Sequence, residues 1–517
     1  MSKLWELDRR TLLKGAAATA IAGFATKRAF ATPRRGGNMR LAFSGASAQD
    51  SLDPTTYIGT SMYLVSYASK SALTEISAQN TVVPALAESW ELDDHAKRWA
   101  FDLRKGVTFH SGKSLTAEDV VASVNLHRGA DSTSPIAPFA AQILDVVADG
   151  KDRVIFTLKG GNADFHALMS AVHMRVLPSK DGKIEDRTTR DGTGAYILEN
   201  LEPGVRANLR RNPNYWNADI GFVETAEIQY VADAAARMNA LRGGFVDVIN
   251  QVDVKTASLL KRVPGVKVEE KNGGQHDVFC MMTDIPPFND PNVRQALKYA
   301  INRQEMVDKI LLGHGAVAND IPLPATHPYY AKDIAQREYD PDKARFYLKN
   351  SGLTSIEIPL SVAETGFYGS TDAGVLYAAT AKGCGLDIKL VREPEDSYWQ
   401  QTWMKKPFSV NYWPGQVSAD MQLSWTYAEN SAWNETHWKN PRFNELLTVA
   451  RAETDETKRR DMYHEMQQLI HDDGGAVIPM YMNHLWATNS KVSHQDEVGG
   501  EWELDGLRCI ERWWLND

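Results

Sequence analysis

Two dipeptides, Asp290-Pro291 and Asp340-Pro341, narrow the class of structure this chain can adopt. Each offers a carboxylate to cap exposed backbone N–H groups, followed by a proline at the first helical position, where the missing N–H costs nothing. After the first, Val293, Leu297, Ala300 and Ile301 share one face and Gly313 closes the region. After the second, Ala344, Tyr347 and Leu348 turn inward and Gly352 stops the helix. Another helix begins near Thr116, with Glu118 and Asp119 in its first turn and Val120 and Val124 facing one way. The spacing also predicts a long helix from Thr457 to His471, whose stripe of Met462, Tyr463, Met466, Leu469 and Ile470 belongs to a core. Strand signals are interleaved with these. Trp99-Ala-Phe101-Asp-Leu103 alternates apolar and polar, Arg104-Lys105-Gly106 turns the chain, and Val107 and Phe109 resume the alternation. Helix and strand patterns mixed along the whole length, with no internal repeat, exclude a bundle or a sandwich and predict α/β or α+β layers.

The first 31 residues stand apart. Arg9-Arg10, preceded by Asp8 and followed by Leu12-Leu13-Lys14, opens an Ala-rich, weakly apolar run that ends in Ala29-Phe30-Ala31. A charged start, a short apolar stretch and an A-x-A exit form the pattern of a cleaved export signal. The paired arginines make it similar to a twin-arginine (Tat) signal. The run is too short and Ala-rich to span a bilayer of about 30 Å. No cysteine follows the cleavage point to carry a lipid. A chain starting near Thr32 loses Lys3, Arg9, Arg10, Lys14, Lys27, Arg28, Glu6 and Asp8, leaving 51 basic and 64 acidic residues, a net charge of −13. That balance is unsuited to nucleic-acid phosphates. Cys280, Cys384 and Cys509 have no metal-ligand spacing. An oxidising compartment permits one disulfide without saying which pair, and burial as small apolar side chains is the preferred fate.

Pro84 to Val121, PALAESWELDDHAKRWAFDLRKGVTFHSGKSLTAEDVV, resembles the signature of bacterial extracellular solute-binding proteins, family 5, the peptide- and nickel-type receptors of ABC importers. Further segments resemble the family in the family's order: Gly192-Thr-Gly194-Ala-Tyr196 with Arg211-Asn-Pro-Asn-Tyr215-Trp216; Phe288 to Leu297 with Ala300-Ile301-Asn302-Arg303; Tyr339 to Ala344; and Tyr463 through Pro479. Together they cover nearly all of residues 38–515. The resemblance implies an α/β periplasmic binding protein of two hinged lobes (type II-like, cluster C) with an inserted third domain. Lobe I would be 32–56, 188–272 and 487–517, the inserted domain 57–187 and lobe II 273–486. Crossovers near Asn272 and Asn489 would form the hinge, so that closure is a population shift driven by bound solute.

Residues 399–438 concentrate aromatic side chains: Trp399, Trp403, Trp413, Trp425, Trp433 and Trp438, with Tyr398, Tyr412 and Tyr427 among them. Most are expected in the core of the larger lobe, and a few in the cleft, where aromatic walls with sparse polar groups bind small molecules. The resemblance points to Asn411–Asp420 as the cleft turn. In peptide receptors of the family an aspartate there holds the ligand's ammonium; here Gln416 takes that place, which puts the ordinary free-amino peptide in doubt. Asp420 either assumes the anionic role or caps the following helix. The expected ligand contacts are Tyr412, Trp413, Gly415 and Gln416, then Asp420 and Trp433, with Tyr57, Gln275, His276 and Tyr368 added from family placement.

Enzyme motifs fail on spacing. Gly106 stands one residue too far from Gly112-Lys113-Ser114 for a phosphate loop, His464-Glu465 lacks a second histidine four residues on, and Gly45-Ala-Ser47-Ala-Gln49 ends in glutamine. Haem, iron–sulfur and dinucleotide fingerprints are also missing from the sequence. The expectation is a monomeric periplasmic receptor with neither cofactor nor metal, capturing a small peptide, an opine-like amino-acid conjugate or a related polar solute for an ABC permease and its ATPase subunits. The alternatives are a cofactor-free periplasmic enzyme and a sensory protein that presents ligand to a chemoreceptor.

Overall fold

The computed structural model describes residues 33–516 except 94, 130, 396 and 417; the export segment read from residues 1–31 lies outside them. The helix starts form as their caps dictate. The Asp290 side chain accepts from the Asn292 N–H ahead of Pro291–Tyr299, and Asp340 accepts from the Lys343 N–H ahead of Pro341–Asn350. Thr116 and Asp119 form a reciprocal capping box on Ala117–Asn125. The long late helix runs Glu456–Asp473, with Tyr463, Met466 and Ile470 buried. Val107 and Phe109 are buried, but the second strand expected there is reduced to one bridge between Thr108 and Ser114. Turns at Gly106 and Gly112, both at positive φ, leave too few residues between them for a ladder.

One eleven-stranded sheet runs through the molecule. Its order is Leu386–Arg392, Ile356–Val362, Phe408–Trp413, Val266–Met281, Ala476–Asn489, Val248–Ile249, Asn38–Phe43, Thr225–Tyr230, Arg206–Arg211 and Tyr196–Glu202, with Gly315–Val317 paired off this path on Ala476–Asn489. Val266–Met281 and Ala476–Asn489 are long enough to belong to both halves. Val266 lies opposite Asn489 and Asn272 opposite Asn483; the pairing then slips across Gly273 and Gly274 and resumes at His276 opposite Tyr481. Such a bulge concentrates bending between two well-paired stretches.

Separate cores flank this pair. On one side, Phe279, Leu297, Leu360, Tyr377 and Val410 pack over one face of the sheet, and Val278, Leu423, Trp438, Phe443 and Met466 over the other. On the other side, Met39, Phe43, Ile228, Trp486 and Trp513 form one cluster, and Leu241, Ile249, Leu260 and Leu485 another. A further core, with Trp99, Phe101, Phe156 and Phe165, covers a four-stranded antiparallel sheet ordered Ala87–Leu92, Arg98–Leu103, Arg153–Leu158, Ile143–Ala148. All three cysteines are buried and free. Among the described residues no helix is long and apolar enough to cross a membrane.

Candidate functional site

A cavity of about 840 Å³ opens where the long strand pair passes between the halves. Gln275 comes from one strand and Met482 to Leu485 from the other. The strand Phe408–Trp413 ends at its rim, and alternation sends Trp413 and Tyr412 to opposite sheet faces. Their rings join a network: Trp399 meets Tyr412 edge to face at 6.1 Å and Trp403 at 5.7 Å, Trp413 meets Trp403 edge to face at 6.4 Å, and Trp413 and Trp433 lie tilted at 6.3 Å. These arrangements stiffen an apolar wall.

Glu435, 3% exposed, locks that wall from behind. One of its oxygens accepts from Trp413 Nε1 at 2.8 Å; the other accepts from Trp403 Nε1 at 2.7 Å and from Asn411 Nδ2. Burial pushes the carboxyl above its ordinary range, and these three donors offset only part of that rise.

The facing wall is mixed. Tyr63 and Trp502 meet edge to face at 5.7 Å. Arg237 spends its guanidinium on the carbonyls of Val231, Ala232, Asn250 and Gln251, at 2.6–3.3 Å. Glu503 accepts from Asn250 Nδ2 and the Gln251 N–H, and burial pushes it up to about 7. Asp253 caps Val254–Leu260 and accepts from the Tyr368 hydroxyl at 3.4 Å, joining the two sides of the cavity. Glu364 accepts from the N–H groups of Gly369 and Thr371.

Of the residues expected from sequence, Tyr412, Trp413, Gly415, Trp433, Gln275 and Tyr368 line this cavity. Gln416 lines a smaller adjoining space with Gly274, Gln422 and Glu501. Gly415 is pressed so closely onto Gly274 that a Cβ there would stand 2.5 Å from the Gly274 Cα. Gly415→Ala should therefore lower stability by about 1–3 kcal/mol, measured by urea unfolding, because backbone on both sides must shift.

Other expectations need correction. Asp420 neither faces the cavity nor serves as the N-cap, which is Ser418; it is buried in the first turn of Ala419–Tyr427 and pairs with Arg451 Nε at 2.9 Å. Tyr57 is 1% exposed and donates to the Leu52 carbonyl, so only its neighbour Ile58 reaches the cavity. His276 is fully buried with its ring edge-to-face on Tyr481, and desolvation drives its pKa down to about 3, keeping it neutral. One residue of strand register separates it from the cavity-lining face that carries Gln275. Trp425 and Trp438 serve the core, while Trp399 and Trp403, expected only as members of the cluster, are in the wall. Glu435 was missed: it sits in Asn434-Glu-Thr436, which has only the spelling of a glycosylation site. Lys113 of the rejected phosphate-loop pattern is paired with Asp119 at 2.6 Å.

The region of the four-stranded sheet touches the half that carries the tryptophan wall directly. Asp164 accepts from Ser418 Oγ and Arg459 Nη2, each at 2.7 Å, and the Ala163 N–H donates to the Arg451 carbonyl. The Phe139 and Trp425 rings lie 4.7 Å apart. These contacts join the region of the core around Trp99 and Phe165 to that of the core around Trp438 and Tyr463.

Comparison with known proteins agrees with this architecture. The chain is 25% identical over 510 residues to di/tripeptide-binding protein 1 of Pseudomonas aeruginosa, covering 89% of this chain and 91% of that one. Its fold superposes on the periplasmic binding protein DppA from Helicobacter pylori, solved with the peptide STSA, at a TM-score of 0.77 and 22% identity over 94% of this chain and 99% of that one. It superposes on HbpA2 from Haemophilus parasuis at 0.81 and 21% identity, over 93% and 100%. The two-lobed α/β fold expected from sequence is thus the observed one. Residues 81–435 match the model of bacterial extracellular solute-binding proteins, family 5, and the chain belongs to that family.

Proposed function

We propose that this protein is the receptor of an ABC importer, exported to the periplasm by the twin-arginine route. It captures a small peptide, an opine-like conjugate or a related polar solute between its lobes and delivers it unchanged to a permease driven by ATPase subunits. It acts as a monomer and performs no chemistry. Residues 32–56, 188–272 and 487–517 form lobe I, 57–187 the inserted domain and 273–486 lobe II. The observation that carries this is the cavity itself. Its tryptophan wall, with Glu364, belongs to one half; Tyr63, Asp253, Glu501, Trp502 and Glu503 come from the other, and the strand pair between them is bulged at Gly273-Gly274. A solute touching both walls favours the closed state by its differential affinity.

Small-angle scattering and thermal unfolding of the mature protein, with and without candidate solutes, test this. A solute at a hundred times its Kd should add about 2.7 kcal/mol of stability and contract the envelope. Unchanged scattering with every solute, together with normal uptake in cells lacking the protein, would sink the proposal. Asp164→Ala supplies an independent check. It removes the acceptor that Ser418 and Arg459 share across the gap and should weaken solute binding about 5–20-fold, measured by calorimetry, while the ligand-free envelope expands.

A further inference from the structure

The lining of the cavity is unbalanced in charge. Asp253, Glu364, Glu501 and Glu503 face it, against the guanidinium of Arg237. Arg237 is already saturated by backbone carbonyls. His484 is kept neutral by burial, its pKa driven down to about 4, and its Nε2 has no partner among the described residues. Lys255 stands outside the lining, its ammonium 6.0 Å from the Tyr368 ring. Among the described residues no lining cation is therefore left to receive a ligand carboxylate, and that chemistry separates this cleft from one built for free peptides or acidic conjugates.

Glu501 is the acid left over. Behind it lie three guanidiniums, all committed elsewhere. Arg508 is paired with Glu511 at 2.8 Å and Glu75 at 3.4 Å, Arg512 with Asp505 at 3.1 Å and Glu75 at 3.6 Å, and Arg175 donates to the carbonyls of Ser170 and Val172. The Glu501 carboxylate itself makes no hydrogen bond or ion pair among the described residues, yet it lines both the main cavity and the smaller one beside Gln416. A second carboxylate with an unused oxygen lies in the strand Val266–Met281, two residues from the cavity-lining Gln275. Asp277, 1% exposed, accepts from Gln275 on one oxygen and has no partner on the other. Tyr412, its cross-strand neighbour, lies opposite it in the ladder. Burial pushes Glu501 and Asp277 each up to about 7; at Glu501 it outweighs the opposing pull of Arg508, Arg175 and Arg512, and at Asp277 the Gln275 hydrogen bond alone opposes it.

Resting on the receptor assignment, we infer that the solute carries a cationic nitrogen and no free carboxylate, that Glu501 is the carboxylate pairing with the cation, and that the body of the solute packs on the tryptophan wall. Amines, guanidines and peptides with a blocked C-terminus fit; zwitterionic peptides, opines and other carboxylates do not. Trp502 beside Glu501 and the tryptophans opposite add ring faces that favour a cation over an anion.

Calorimetry and thermal shift on the mature protein, with four probes, decide the matter: tyramine, Leu-Phe amide, free Leu-Phe and N-acetyl-Leu-Phe. Tyramine and the amide should bind, with the amide at least tenfold tighter than free Leu-Phe and N-acetyl-Leu-Phe silent. Glu501→Gln should weaken tyramine at least 30-fold without lowering the unfolding temperature of the ligand-free protein, and Glu501→Asp should restore part of the affinity. Binding of free or acetylated Leu-Phe as tight as the amide, or unchanged tyramine affinity in Glu501→Gln, overturns the inference and leaves the receptor assignment standing. Silence of all four probes, with no response to opines or metal chelates either, overturns both.

Discussion

Asp320→Ala should destabilise the protein by about 3–5 kcal/mol, the cost of leaving buried charge without its partner. Asp320 is fully buried, at positive φ just beyond the short strand Gly315–Val317. Its two oxygens accept from Arg303 Nη2 at 2.8 and 2.7 Å, one of them from Arg337 Nη1 as well, and the other from the Ile478 N–H at 2.9 Å. Arg303 and Arg337 are themselves buried, so truncation strands two guanidiniums rather than one. Lys298, also buried, donates to the carbonyls of Ile470 and His471 beside this cluster, and desolvation lowers its pKa to about 7. The cluster joins the helices Pro291–Tyr299, Arg303–Lys309 and Glu456–Asp473 to the start of Ala476–Asn489, whose residues Met482–Leu485 line the cavity. Burial alone would raise the Asp320 carboxyl, but the surrounding cations win and hold it well below the ordinary carboxylate range. Its share of stability is therefore complete above about pH 4, the unfolded value, and is lost only as pH falls toward the depressed folded value. Urea unfolding from pH 3 to 8 reads both points: the variant should lie below wild type by a constant amount above pH 4, and the gap should narrow in acid.

Glu435→Ala should cost about 2–4 kcal/mol of stability and at least a tenfold loss of solute affinity. Three buried donors, on Trp403, Trp413 and Asn411, lose their acceptor together. Two of them belong to the rings that form the cavity wall, so the wall loosens and must be ordered again by each arriving solute. Glu435→Gln keeps one acceptor oxygen and should recover part of both losses. Tryptophan fluorescence gives a readout beyond stability: the emission of Glu435→Ala should shift and broaden, while a variant of equal stability loss elsewhere should leave it unchanged. Full affinity in Glu435→Ala would show that the wall is rigid without this carboxylate.

Much of the scaffold was legible from neighbouring residues. Asp290, Asp340 and Thr116 cap the helices they were expected to start, because a side-chain oxygen and an N–H two or three residues on meet by local geometry alone. Tyr412 and Trp413 reach the cavity because a strand ending at the rim presents its last residues there whichever face each one takes. Legibility stopped at Asp420, Tyr57 and His276. Each is a polar or amphipathic side chain near the right place in sequence, and each was turned away by a partner or a register that sequence distance hides: Arg451, the Leu52 carbonyl, and a one-residue step along Val266–Met281.

The chain by itself thus determined its class, its order of elements and the aromatic character of its cleft, since these depend on periodicity and on contacts within a few residues. Tertiary structure alone decided the charge of that cleft. Whether Glu501 is neutralised depends on Arg175, Arg508 and Arg512 and on which other acids have already claimed them, and whether Glu435 is a surface acid or a buried clamp depends on Trp403 and Trp413 folding over it. Desolvation and pairing act through space between residues far apart in the chain, so no local pattern records them.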